Sequence, residues 1–190
     1  LNFFNKDGEW SSEIIFLDKD RVEVKFLNKI KESANVSNIE LAICLVKKGP
    51  METILQKATE LGVSRITPII SERTEVKELN YERAQKIVIE ATEQSNQLNP
   101  PEVSKVIKLK DFLEKLDSEA KFLFADVNSK NNLQKKDVEG DVLKTISIGP
   151  QGDFSPGERE SILAKANTTS FSISKNILRS DTAVISAISL

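Results

Sequence analysis

Between Ile39 and Val46 the chain runs Ile-Glu-Leu-Ala-Ile-Cys-Leu-Val, a nearly continuous apolar stretch that Gly49-Pro50 stops. A strand with one wet face alternates apolar and polar residues. A run that is apolar throughout belongs to a strand covered on both faces. Helices supply such cover, and the downstream sequence offers them. Pro50 suits the first turn of a helix that places Ile54, Leu55, Ala58 and Leu61 on one face, and Gly62 suits its left-handed C-terminal cap. A strand over 63–70 follows, then a helix over 81–94 with Ala84, Ile87, Val88 and Ala91 inward, a short strand over 103–107 and a short helix over 109–116. Strands over 120–125, 142–148 and 169–173 then alternate with helices over 155–166 and 182–190. This alternation predicts an α/β domain with a mostly parallel sheet.

Residues 1–37 follow a different rule. Ile14-Ile15-Phe16-Leu17 and Val22-Glu23-Val24-Lys25-Phe26 read as two strands around the polar turn Asp18-Lys19-Asp20. Two strands are marginal alone. With Leu1 rather than Met at its start, the chain reads as a fragment that opens in the tail of a small β-domain. Ser33-Ala34-Asn35-Val36-Ser37 reads as a linker, which divides the chain into residues 1–37 and 38–190.

Composition narrows the chemistry. The 190 residues contain no histidine, which removes His-based triads and His-ligated metal sites. Proton transfer must fall to carboxylates, Arg, Lys, Tyr or the substrate, and no metal site is expected. Cys44, the single cysteine, lies inside the apolar run, so a buried structural thiol in a reducing, cytoplasmic compartment is expected. A net charge of −2 argues against a surface that grips nucleic acid everywhere. No apolar run reaches the length of a membrane span.

Three segments could carry chemistry. Ile148-Gly149-Pro150-Gln151-Gly152-Asp153-Phe154-Ser155-Pro156-Gly157-Glu158 leaves a strand and opens a helix. Ser155 and Glu158 have capping-box spacing with Pro156 at the first helical position. Gly149 and Gly152 allow a ligand to approach the backbone, beyond the carboxyl end of a strand where α/β ligands bind. The run is neither GxGxxG nor a P-loop, and an ordinary β-α turn is the plainer alternative. Asn176-Ile177-Leu178-Arg179-Ser180-Asp181-Thr182-Ala183 brings a cation and a carboxylate to the start of the last helix, with Ser180 or Asp181 as its cap. A surface ion pair is the alternative there. Glu93-Gln94-Ser95-Asn96-Gln97-Leu98-Asn99-Pro100-Pro101-Glu102 ends a helix in amides, which can pair with base edges or form a polar loop.

Taken in order, these segments resemble the RsmE-type family of ribosomal RNA uridine-N3 methyltransferases, of the SPOUT superfamily. The family patterns read roughly Gly-Pro-Glu-Gly-Gly-Phe, Leu-Arg-Thr-Glu-Thr-Ala, and Glu-Gln-Ser followed by an Arg-containing turn and Pro-Glu. Lys57-Ala58-Thr59-Glu60-Leu61-Gly62-Val63, with Ile66-Thr67-Pro68 after it, is similar as well. The resemblance implies a C-terminal trefoil knot, a homodimer, and an N-terminal PUA-like β-barrel of which residues 1–37 are the last part. It implies S-adenosyl-L-methionine as cofactor, held by backbone of Ala125, Asp126, Ile148, Gly149, Pro150, Gly152, Ile177 and Leu178. It implies Arg179 and Asp181 as catalytic residues, and RNA contacts from Gln94, Asn96 and Gln97, with small-subunit ribosomal RNA or the 30S particle as substrate. On this view Gly149→Val abolishes cofactor binding and leaves the fold intact. The chain departs from the patterns at Gln151 and Asp181, where the family has Glu, at Asp153, where it has Gly, at Ser180, where it has Thr, and at Gln97, where Arg is usual. The alternative is a SPOUT-type RNA-binding protein with weak or no methyltransferase activity.

Overall fold

The computed structural model describes residues 1–5, 7–32 and 37–190. The expected linker lies outside the described residues, save Ser37. The first residues form a three-stranded antiparallel sheet of β1 (Asn2–Asn5), β2 (Gly8–Leu17) and β3 (Val22–Glu32), in that order. The two expected strands are present but longer, and β1 is an addition. Phe3 and Trp10 meet the edge of Phe26, while Ile14, Ile15, Phe16, Leu17, Leu27 and Ile30 are exposed.

From residue 39 the elements run β4 (Ile39–Cys44), α1 (Lys48–Glu60), β5 (Arg65–Ile70), α2 (Tyr81–Gln94), β6 (Glu102–Val103), β7 (Ile107–Lys108) and α3 (Leu109–Lys115). They continue with β8 (Lys121–Ala125), α4 (Lys135–Val138), β9 (Lys144–Ile148), α5 (Pro156–Leu163), β10 (Thr168–Phe171) and α6 (Ser180–Ile188). The sheet order is β10-β8-β9-β4-β5-β6, with β7 also on β5, and every pairing is parallel.

The apolar run at 39–46 is explained by the two cores. Leu41, Ile43 and Leu45 pack with Ile54, Leu55, Ala58, Val88, Val184 and Ala187 of α1, α2 and α6. Ala42 and Cys44 point the other way, to Phe112, Phe122, Phe124, Phe154 and Ile162 under α3 and α5. Period-2 alternation persists, but both directions lead to apolar surroundings.

Some boundaries differ from the sequence reading for local reasons. The expected strand at 103–107 is two short pieces, because the Val106 N–H donates to the Tyr81 hydroxyl rather than to a ladder. The last helix starts at Ser180, so neither Ser180 nor Asp181 is its cap. Arg179 holds that position without a side-chain bond, and Asp181 Oδ1 instead accepts the Thr182 N–H at 2.9 Å. Helix α4 was not expected. Gly62 takes φ +82 just past α1, as its cap role requires.

Candidate functional site

Parallel register puts the ends of three strands side by side. Ala125 aligns with Ile148 on one neighbour and with Phe171 on the other. The chain therefore leaves β8, β9 and β10 at one edge of the sheet, across about 10 Å at the usual strand spacing. Ala125, Asp126, Ile148, Gly149, Pro150 and Gly152 are gathered there. Leu178 packs, half-buried, on the same core as Ile148, whereas Ile177 is 92% exposed.

The loop from Gly149 to Ser155 is tied down at many points. The Asp153 N–H donates to the Pro150 carbonyl at 3.0 Å, closing a turn in which Gly152 takes φ +95 and Asp153 φ +65. Asp153 stands in the left-handed region that Asp tolerates better than most residues. Its Oδ1 accepts the Phe154 N–H at 2.8 Å, and its Oδ2 accepts Asn128 Nδ2 at 3.4 Å. The capping box forms in full: Ser155 Oγ accepts the Glu158 N–H, and Glu158 Oε2 accepts the Ser155 N–H. Glu158 Oε1 also accepts the Glu72 N–H at 2.8 Å, and Arg73 Nη1 donates to Gly152 O at 2.8 Å and Phe154 O at 3.4 Å. A Cβ on Gly152 would meet nothing within 4 Å, so the backbone there faces open space. A Cβ on Gly149 would lie 3.1 Å from the buried Phe154 ring, so Gly149→Val presses on the core as well as on the loop. The expectation that this change spares the fold therefore needs amending.

Asp126 is the charged centre of the edge. Its buried carboxylate takes a two-pronged bond from Arg159, with Nη2 at 2.7 Å and Nε at 3.1 Å from Oδ2, and accepts the Asn128 N–H at 2.9 Å. Burial alone would raise its pKa. The bonds from Arg159 and Asn128 outweigh burial and hold the group below its ordinary 3.8.

Arg179 lies 3.7 Å from Asp181 through Nε, with its side chain 76% exposed and that of Asp181 21% exposed. The pair stands at the start of α6. The amide segment is elsewhere. Asn96 and Gln97 sit beside Gly62 and Val63, at the amino end of β5, and Gln97 Nε2 donates to Thr59 O at 2.7 Å and Glu60 O at 3.1 Å. Gln97 thus caps the C-terminus of α1. Gln94 lines a groove of about 490 Å³ between α1 and α2. Within one chain, these amides and the glycine loop occupy opposite edges of the sheet, about 15–20 Å apart by strand length.

Sequence reasoning did not single out Arg73, Asn128 or Arg159. Each acts through partners 25 to 81 positions away, which no local pattern encodes. Glu158 was recognised as a cap but not as the holder of the Glu72 amide.

Comparison with known proteins agrees with this geometry. Residues 32–190 match the family described as RNA methyltransferase domain. The ribosomal RNA small subunit methyltransferase E of Rickettsia conorii is 34% identical over 198 aligned positions, covering 99% of this chain and 78% of that protein. The crystal structure of a ribosomal RNA small subunit methyltransferase E from Neisseria gonorrhoeae, bound to S-adenosyl methionine, matches with TM-score 0.89 and 30% identity, over 100% of this chain and 80% of the other. A putative methyltransferase from Legionella pneumophila, in complex with its cofactor SAM, matches with TM-score 0.83 and 29% identity, over 99% and 80%. Matched by the family over most of its length and by such relatives from end to end, the chain belongs to the RNA methyltransferase domain family, among the ribosomal RNA small subunit methyltransferase E proteins.

Proposed function

We propose that this chain methylates N3 of a uridine in small-subunit ribosomal RNA, with S-adenosylmethionine as donor. One observation carries the reading: the glycine loop lies at the aligned carboxyl ends of β8, β9 and β10, in a fold shared over the whole chain with the S-adenosyl methionine-bound Neisseria protein. The residues fit the cofactor. Gly152 leaves its backbone open, Gln151 is exposed, and Ala125, Ile148 and Leu178 offer apolar walls beside it. Backbone of Ala125-Asp126, residues 148–152 and Ile177-Leu178 would hold it.

S-adenosylmethionine supplies an electrophilic methyl group on a sulfonium. The chain's part is to bind, align and stabilise. Uridine N3 must lose its proton to attack, which leaves negative charge on the O2 and O4 edge. Arg179, a cation free to reach a substrate, stabilises that anion. The Asp181 carboxylate orients the guanidinium and assists removal of the N3 proton. The target uridine is unstacked while it reacts.

Assembly completes the proposal. Gln94 and Asn96 contact RNA, and Gln97 offers RNA its carbonyl oxygen, because its amide N–H groups are held by α1. These amides reach the glycine loop of a second copy in a symmetric dimer. The last segment threads the loop after β8 as a trefoil knot. In support, the Ser172 N–H donates to Asn131 O at 2.8 Å, after which α6 packs back on α1 and β9. Residues 1–37 complete a PUA-like barrel, and the protein works in the cytoplasm. Among the described residues, no helix is long and apolar enough to cross a membrane.

The test is methylation of small-subunit particles that lack the modification, with the product mapped to its nucleotide. Arg179→Ala should lower the rate roughly two to three orders of magnitude, as losing one donor to a developing anion does. Melting temperature and cofactor affinity should stay near wild type. Normal methylation by Arg179→Ala would remove the residue from the mechanism. The second reading, RNA binding with weak or no turnover, is favoured by Gln97 standing as an α1 cap where the family pattern has Arg. It predicts RNA and cofactor binding without product.

A further inference from the structure

We propose that Arg73 is a positioning residue for the cofactor loop, acting from a turn that a buried hydroxyl cluster holds rigid. The inference rests on the reading of residues 148–152 as the cofactor site. Arg73 lies in the connection from β5 to α2. On either side of Glu72-Arg73, Ser71 and Thr74 are buried. The Ser71 N–H donates to Thr74 Oγ1 at 3.0 Å, the Thr74 N–H donates to Ser71 O at 3.2 Å, and the two hydroxyl oxygens lie 2.8 Å apart. Cys44 Sγ reaches Ser71 Oγ at 3.6 Å. Burial pushes that thiol up to about 12, with its hydrogen bonding to Ser71 and Thr74 opposing, so it stays a neutral donor at physiological pH.

The exposed guanidinium thus leaves a backbone that cannot easily move. It crosses to the glycine loop, where Nη1 donates to Gly152 O at 2.8 Å and Phe154 O at 3.4 Å. These two carbonyls flank Asp153, the non-glycine residue held at φ +65. Next to it, the Glu72 N–H is held by the Glu158 carboxylate, which also fastens Ser155. The turn after β5 and the loop after β9 are therefore bonded on both sides of Asp153. By fixing the Gly152 carbonyl, Arg73 fixes the peptide plane that follows Gly152 and so the direction in which its backbone faces the cofactor. Pre-set loops bind more tightly, because their ordering is not paid at the moment of binding.

The experiment is calorimetry with S-adenosylmethionine on the whole chain, on Arg73→Ala and on Arg73→Lys, beside thermal melting and methylation kinetics. Arg73→Ala should weaken cofactor binding roughly ten- to one-hundred-fold, the range for losing a charge-assisted hydrogen bond. Arg73→Lys keeps a charged donor and should recover part of the loss. Both variants should melt close to wild type, and KM for the cofactor should rise more than kcat falls. Wild-type affinity in Arg73→Ala would overturn the proposal. So would an affinity loss that tracks an equal loss of stability in both variants, which is the mark of a structural prop. Failure of the unaltered chain to bind S-adenosylmethionine would overturn the cofactor reading and this inference with it, and is told apart because it appears before any substitution is made.

Discussion

Asp126 and Arg159 show how much of the site is decided by single residues. The carboxylate is fully buried at the end of β8, and the guanidinium on α5 is about one-third exposed. Because the Asp126 pKa is lowered in the folded state, the group contributes stability above its ordinary, unfolded pKa near 3.8. That contribution is lost as pH falls through the lower folded value. Asp126→Asn should therefore lose about 1–3 kcal/mol at pH 7, discounted for the exposure of Arg159, and its disadvantage should shrink below about pH 4. Urea unfolding of both proteins between these pH values checks it, and parallel pH curves would count against it. The pair itself was not legible in the sequence, since 33 positions separate its members. Cys44 was, because a lone thiol inside an apolar run is buried.

At the scale of elements, the β9–α5 unit keeps its expected caps, although β9 begins at Lys144 rather than at 142 and α5 ends at Leu163 rather than at 166. Gly149, Gly152, the Ser155–Glu158 capping box and Pro156 each have a local reason that survives folding. Periodicity gave α2 its bounds, Tyr81–Gln94, because a polar N-cap, Asn80, and an inward apolar face coincide. It failed at β6 and β7, where a tertiary bond from the Val106 N–H to the Tyr81 hydroxyl breaks the strand, and at α6, whose start no side chain marks. Gly149 joins loop and core. Gly149→Val should lower stability by about 1–3 kcal/mol, because the buried Phe154 ring must yield, and should also abolish cofactor binding. Gly152→Ala meets no atom but strains a backbone at φ +95, at about 1–2 kcal/mol. Melting curves with and without cofactor separate the two: Gly149→Val should show no shift on adding cofactor. A full shift would place the cofactor elsewhere.

For the whole molecule, the spatial split between the amide segment and the glycine loop matters most. The two lie at opposite edges of one sheet, so a site that uses both needs a second copy. Sequence reading placed each segment on its element but could not place one relative to the other, because strand order is a tertiary fact. Sedimentation at micromolar concentration should show a dimer, and a stable monomer would remove Gln94, Asn96 and Gln97 from the reaction site. The central claim is the position of the cofactor. A crystal structure of the chain grown with S-adenosylmethionine tests it directly. The account predicts the cofactor against residues 148–152, Ala125-Asp126 and Ile177-Leu178. A cofactor ordered anywhere else on the chain, or a chain that takes up none, would contradict it.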